Sequence, residues 1–396
     1  MHFDTVIVGG GILGLSVARE LLIRHPSRRV AVVEKEATPG KHQTGRNSGV
    51  LHTGVYYRPG SLKARLCARG RVRMQRFCDD RGIAWEQVGK VIVATNAVEV
   101  ERLDELWRRA AANDVRVERI DRGRLAELEP HAAGDAALWV PDAGIVDYGA
   151  VCDALLEEID QRGGTLLTSW PVDRIDEGSE GGVARVTGPR GALEADRVIA
   201  CAGLWSDRLA RRSGRRSALR IVPFRGEYYR LRPEAEHLCR GLIYPVPDPS
   251  FPFLGVHFTR KVGGGVECGP NAVLAYAREG YRHRDVVPAE LAESLFWPGF
   301  QRLALRHWRT GAGELWRSLS RRAFAASLQR LVPDVREQDL IPAPAGVRAQ
   351  ALDRDGNLVD DFVIVHEGRV AHICNAPSPA ATSSLAIAEW IVDRVA

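Results

Sequence analysis

Thr5-Val6-Ile7-Val8-Gly9-Gly10-Gly11-Ile12-Leu13-Gly14 is the stretch on which the fold turns. Thr5 to Val8 reads as a short buried strand and the three glycines as a turn. Ile12, Leu13, Leu15, Ala18, Leu21 and Leu22 then recur at helical spacing. Val30 to Val33 is a second apolar run, and Glu34 ends it. The first 36 residues therefore predict a strand–helix–strand unit with Gly9-x-Gly11-x-x-Gly14 in its first turn. Gly9 makes the turn, Gly11 lets a pyrophosphate approach the main chain, and Gly14 lets helix and strand pack closely. The start of the helix offers N–H groups and a partial positive charge to phosphates. Glu34 can accept from both ribose hydroxyls and would repel a 2′-phosphate, which argues against NADP.

Two further segments favour FAD over NAD. His42-Gln43-Thr44-Gly45-Arg46-Asn47-Ser48-Gly49-Val50-Leu51-His52 is a polar loop directly after the dinucleotide unit, and Gly45 to Tyr57 reads as an ordered loop. Asn375-Ala376-Pro377-Ser378-Pro379-Ala380-Ala381-Thr382 precedes a helix over 380–395. A helix N-terminus presented by such a turn stabilises negative charge on a reduced flavin.

The rest of the chain alternates. Helical periodicity over 62–82 and 99–113 is followed by a helix over 150–162, a strand over 165–168 and a buried strand over 197–203. From about 220 to 280 the pattern is β-rich, with strands at 221–222, 227–231, 255–259 and 266–268. Residues 288–330 return to helix, and 363–365 and 370–374 to strand. This pattern predicts an α/β fold with an α+β substrate part, a Rossmann-like FAD-binding domain interleaved with a β-sheet-containing substrate domain. The expected division is 1–85, 141–220 and 341–396 for the FAD domain, with 86–140 and 221–340 for the substrate domain. Two sequential domains are the simpler alternative.

Composition narrows the function classes. The 396 residues are 45% hydrophobic and 27% charged, as in an ordinary globular protein. The net charge of +5 falls well short of a nucleic-acid-binding signature. Five of the 55 cations are Lys, which reads as compositional bias. Seven cysteines, at 67, 78, 152, 201, 239, 268 and 374, include no C-x-x-C pair, so neither a metal site nor a disulfide framework is expected. A reducing, cytoplasmic setting fits them. The N-terminus has no signal-peptide pattern, and no apolar run approaches the length of a membrane span.

At this point the residues carry a resemblance. The glycine fingerprint, Asn47-Ser48-Gly49, Ala200-Cys201-Ala202-Gly203 and a Gly346-Val347-Arg348 turn resemble the FAD-dependent D-amino-acid oxidase/glycine oxidase superfamily. Within it, Asn47 to Tyr57, Phe224-Arg225-Gly226-Glu227-Tyr228, Ile243-Tyr244-Pro245, Phe253-Leu254-Gly255-Val256-His257, Gly269-Pro270-Asn271, Pro344 to Asp355 and Asn375 to Ser383 are similar to the L-2-hydroxyglutarate oxidase/dehydrogenase family. The resemblance implies oxidation of a 2-hydroxy dicarboxylate, L-2-hydroxyglutarate, to 2-oxoglutarate through FAD, with electrons passed to a membrane quinone or oxygen. It places Gly9, Gly11, Ile12, Gly14, Glu34, Lys35, Thr44, Arg46, Asn47, Ser48, Gly49, Val50, Val172, Ala202, Gly203, Arg348, Asn375, Ser378, Ala380, Ala381 and Thr382 at the cofactor. An amino-acid or amine oxidase of the glycine oxidase type, and a non-catalytic flavin-binding electron carrier, are the competing readings.

Oxidising a 2-hydroxy acid requires a base for the hydroxyl proton, and His suits that task. His42, His52 and His257 lie in motif-bearing segments. His257 is the expected base and His52 the expected positioning residue. A dicarboxylate calls for Arg forks. Arg348 is expected on the α-carboxylate, and Arg225, Arg260, Tyr244 and Tyr57 are the candidates for the distal one. Two Arg-rich stretches remain, Arg208 to Arg220 (with Arg215 and Arg216) and Arg302 to Arg322 with Trp308 and Trp316. They read as solvated helix faces, with peripheral docking at the inner face of the cell membrane as the functional alternative.

Overall fold

The computed structural model describes all residues except 179–181, 216, 249–252 and 396. Its first sheet is built on the opening unit. Val30–Val33 is buried at every position, as expected of a strand covered on both faces. His2–Val8 lies between it and Gly191–Ala200, with both pairings parallel. Val370–Asn375 adds parallel to Gly191–Ala200, and Thr165–Leu167 extends the other edge parallel to Val30–Val33. Helix Ile12–Arg24 packs its apolar face against helices Ala380–Val395 and Tyr148–Gln161. Helix Leu62–Arg81 lies on Ala380–Val395 so closely that a Cβ at Gly70 would come 2.5 Å from Ser383 Cα.

The second sheet contains Lys90–Ala94, Glu118–Asp121, Ala136–Val140, Arg220–Leu231, Leu242–Pro245, His257–Arg260, Val266–Gly269, Val273–Leu274 and Leu340–Leu352. Arg220–Leu231 and Leu340–Leu352 pair antiparallel along almost their whole lengths, with a register shift between Gly226 and Tyr228. Its core, around Phe258, Cys268, Phe324 and Leu328, is separate from those of the first sheet.

Three expectations need correction. Leu340–Leu352 belongs to the second sheet, so the chain does not return to the first sheet at 341; the first strand to do so is Val363–Glu367. Gly346-Val347-Arg348 is the middle of a strand, because Phe224, Arg225 and Gly226 pair with it residue by residue. The 45–57 loop contains a short strand, Val50–Leu51, which pairs with Gly144–Val146 in a three-stranded sheet with Trp85–Glu86.

Candidate active site

A cavity of about 980 Å³ runs from the glycine turn to the face of the second sheet. At its first end the chain is shaped for a dinucleotide. Gly9 has φ +110°, and a Cβ there would lie 2.3 Å from Cys201 O; one on Gly14 would lie 2.0 Å from Gly9 O. The main chain is thus bare and tightly packed where a pyrophosphate must approach. Glu34 accepts from Gly10 N–H at 2.6 Å and from Glu36 N–H at 2.9 Å, which fixes its carboxylate at the cavity wall. Glu34 N–H donates to Leu167 O and Trp170 N–H to Glu34 O, which brings Trp170 and Val172 onto the same wall.

The polar loop folds on its own side chains. Ile12 N–H donates to Thr44 Oγ1 at 3.1 Å, Asn47 Nδ2 donates to Gln43 O and Thr44 O, and Gly49 N–H donates to Asn47 Oδ1. Arg46 donates to Ala345 O and lies 4.0 Å from the Tyr281 ring centre. A Cβ on Gly346 would meet Arg46 O at 2.4 Å, so loop and second sheet touch main chain to main chain. Lys35 Nζ lies 2.5 Å from Glu36, 2.8 Å from Glu279 and 2.9 Å from His42 Nε2. Glu36, His42 and Glu279 form a cluster of metal-ligand type, but an ammonium already sits among them.

Opposite, Ala376 to Thr382 line the cavity at the start of helix Ala380–Val395. Asn375 donates from Nδ2 to Val359 O and Asp361 O, which leaves its buried Oδ1 unpaired at the cavity. The bare glycine turn, the clamped acid, two helix starts and this orphaned acceptor fit FAD. Of the expected cofactor residues, Gly49 is the exception: at φ +73° it backs the loop against Val146 O and does not line the cavity.

The second end carries the groups expected to act on a substrate. His257, His52, Arg348, Tyr244 and Tyr57 all line it. His257 Nδ1 lies 2.9 Å from Gly255 O. A carbonyl only accepts, so Nδ1 carries the proton and Nε2 keeps its lone pair. Burial, with Lys90 and Arg348 nearby, pushes the His257 pKa down to about 3. Burial, then Lys90, Lys63 and His257, also holds His52 well below the ordinary imidazole range. His52 is tied to the last helix: its N–H donates to Thr382 Oγ1, and its Nε2 lies 3.3 Å from Ser378 Oγ. The Arg348 guanidinium sits 5.4 Å from the Phe253 ring centre and, among the described residues, has no carboxylate partner.

Two of the expected substrate residues point elsewhere. Gly226 and Tyr228 face the cavity, so strand alternation turns Arg225 and Glu227 to the other side. There Arg225 pairs with Glu227 at 3.1 Å and His283 at 2.8 Å. Arg260 shares the side of core residue Phe258 and pairs with Glu86 at 3.3 Å. His42 is absorbed in the Lys35 cluster and hydrogen-bonds Tyr281. Sequence reasoning missed Tyr56, whose buried hydroxyl has no partner among the described residues, and Lys63. A signal for Lys63 existed in the scarcity of lysine. Lys35, Lys41 and Lys63 line the cavity, Lys90 is buried against the Tyr244 ring, and Lys261 reaches Asn47 O at 3.5 Å.

Residues 4–394 match the FAD dependent oxidoreductase (DAO) family. The L-2-hydroxyglutarate dehydrogenase of Indibacter alkaliphilus is 48% identical over 100% of both chains. That of Escherichia coli K12 is 46% identical over 99% of this chain and 93% of its own. The mitochondrial L-2-hydroxyglutarate dehydrogenase of Caenorhabditis elegans is 49% identical over 99% and 93%. Among solved structures, FAD-bound L-α-glycerophosphate oxidase from Mycoplasma pneumoniae superposes with a TM-score of 0.79 at 22% identity, over 99% of this chain and 94% of its own. Glycine oxidase from Geobacillus kaustophilus gives 0.73 at 21%, over 100% and 94%. The fold and the cavity are those of an FAD-dependent oxidoreductase. Within that class, the chain belongs to the L-2-hydroxyglutarate dehydrogenase family.

Proposed function

We propose that the chain oxidises L-2-hydroxyglutarate to 2-oxoglutarate, with His257 as the base. The observation that carries this reading is a cation, Arg348, that has no carboxylate partner among the described residues and shares its cavity with a neutral imidazole whose Nε2 keeps its lone pair. Arg348 binds the substrate's α-carboxylate through its guanidinium fork. His257 Nε2 takes the proton from the α-hydroxyl, and its N–H to Gly255 O keeps the ring in the required tautomer. Gly9, Gly11, Gly14, Glu34, Thr44, Arg46, Asn47, Ser48 and residues 375–382 would hold FAD, which supplies the two-electron acceptor when bound. His52, anchored to Thr382 and Ser378, keeps the last helix and the substrate end in register.

The first sheet and its helices serve as the FAD domain and the second sheet as the substrate domain. Each is assembled from separate stretches of chain. The electron acceptor is a membrane quinone reached by peripheral contact from the cytoplasmic side. No helix of the described residues is long and apolar enough to cross a membrane. Helices Pro298–Arg306 and Trp308–Leu319, however, expose Leu305, Trp308, Trp316 and Leu319 at 62–77% among several Arg. The other Arg-rich stretch does not suit docking. Arg208, Arg211, Arg212 and Arg215 are paired with Glu290, Glu293, Asp173, Glu177 and Glu367, and Arg216 lies outside the described residues.

Anaerobic mixing of the holoenzyme with L-2-hydroxyglutarate tests the reading. Rapid bleaching of the flavin by this substrate, and much slower bleaching by its D-enantiomer and L-malate, is expected. An unbleached flavin would reject the dehydrogenase reading in favour of an electron carrier, and bleaching by glycine or sarcosine would favour an amine oxidase.

A further inference from the structure

The cavity cations divide into two groups. Lys35 is held by Glu36 and Glu279, Arg46 lies over Tyr281, Arg208 is held by Glu290 and Glu293, and Arg212 by Asp173. Lys41 is exposed, and the charges that act on His52 and His257 are not among these five. Of the cations that line the cavity, Arg348 acts on His257 and Lys63 on His52, beside the buried Lys90, whose charge acts on both.

Lys63 is unusual for a first-turn lysine. Its side chain is 7% exposed, and its ammonium lies 4.7 Å from the Tyr57 ring centre. Its carboxylate partner is Asp360, at 2.7 Å, whose side chain is 78% exposed. Both residues line the cavity. The neighbouring Asp361 fixes this corner independently, accepting from the N–H groups of Leu62 and Lys63. A solvated carboxylate held by one buried ammonium is surrendered at little cost, because water takes it back. An ammonium on a flexible stem changes partners more readily than a guanidinium fork does. The cavity-lining Tyr56 carries a buried hydroxyl with no hydrogen-bond partner among the described residues.

We propose that Lys63 receives the distal carboxylate of the substrate, exchanging its ion pair with Asp360 for one with the ligand. The assignment rests on the dicarboxylate reading above and names the residue that selects it. With Arg348 on the α-carboxylate, the cavity offers one cation to each end of the substrate, and a monocarboxylate of the same length engages only one of them.

The test is ligand binding to oxidised holoenzyme, read from the perturbation of the flavin spectrum and from calorimetry, so it needs no turnover. Glutarate and butyrate serve as the probes. Wild type is expected to bind glutarate more tightly than butyrate. Lys63→Met should weaken glutarate by about 10–100-fold and leave butyrate within about 2-fold. Asp360→Asn, by removing the competing carboxylate, should tighten glutarate. A Lys63→Met variant that weakens both probes alike, or neither, overturns the proposal, as does wild type without preference for glutarate. If Lys63→Met does not retain FAD, the Asp360→Asn titration decides: tighter glutarate supports the exchange and unchanged glutarate rejects it. Failure of L-2-hydroxyglutarate to bleach the wild-type flavin would reject the oxidation reaction, a result separate from these affinities.

Discussion

The imidazole of His257 lies against the phenol ring of Tyr244, with centroids 3.9 Å apart and planes 31° from parallel. Lys90 Nζ stands 4.2 Å from the centre of that same Tyr244 ring. Tyr244 thus fills the space between a buried ammonium and the expected base. Its ring orients the imidazole while the positive charge beneath opposes protonation of it. Removing the base should be felt in one step above all. His257→Gln is expected to slow flavin reduction by L-2-hydroxyglutarate by about 10²–10⁴-fold with FAD still bound, measured by anaerobic stopped flow. A rate within about 3-fold of wild type would remove His257 from the chemistry.

The same imidazole contributes to acid sensitivity, alongside His52 and His372, whose burial also lowers their pKa values. The His257 pKa is about 3 in the folded chain against an ordinary 6.5, so between these values the unfolded chain holds a proton that the folded one does not. Stability from this group is therefore full above pH 6.5 and is lost as pH falls toward 3, on the order of 5 kcal/mol in all. Thermal midpoints measured across that window should fall less steeply in His257→Gln than in wild type. Parallel slopes would place the acid-labile group elsewhere.

Arg348→Met should raise KM for L-2-hydroxyglutarate by about 10–100-fold, since a charge-assisted fork is lost, while flavin content stays full. Arg260→Met, on the far side of its strand, should leave KM unchanged. Steady-state kinetics with flavin quantification separates the two outcomes, and flavin loss in Arg348→Met would move that residue to the cofactor.

Gly346 tests the junction between loop and sheet. A methyl group there would press on Arg46 O at 2.4 Å, main chain against side chain, with no flexible group to give way. Gly346→Ala should weaken FAD retention through the displaced 43–50 loop, seen as flavin released on gel filtration. Full retention would mean that strand and loop move apart freely.

The exposed Trp and Leu side chains give a test of docking. Wild type is expected to sediment with vesicles rich in phosphatidylglycerol, and Trp308→Ser/Trp316→Ser to lose most of that binding with flavin reduction by substrate unchanged. Equal sedimentation would exclude this face.

What the sequence disclosed depended on how far apart the cooperating residues lie. The turn from Gly9 to Gly14 and its acid at 34 were legible because strand, turn, helix and carboxylate fall within one short window, and the strand register keeps Glu34 beside Gly10. His257 and Arg348 emerged through family motifs, and both reach the cavity. Arg225 was misplaced because the side it takes is set by pairing with residues 340–352, which no local pattern contains. Lys63 was hidden within an Arg-rich helical stretch. Its partner Asp360 is 297 positions away, and nothing near it in sequence signals burial. The shortage of lysine was the available hint. In a chain that uses Arg almost everywhere, the few ammonium groups gather at the cavity and the loop beside it.

The helix that opens at Ile12 packs on Ala380–Val395, and the strand before it is flanked by Gly191–Ala200. During synthesis, the glycine turn emerges early but stays without its supporting helix until nearly the whole sequence has been translated. Cofactor loading is thus a late event in the life of each molecule, and a nascent chain stalled before residue 380 carries an exposed apolar helix face in place of a flavin site.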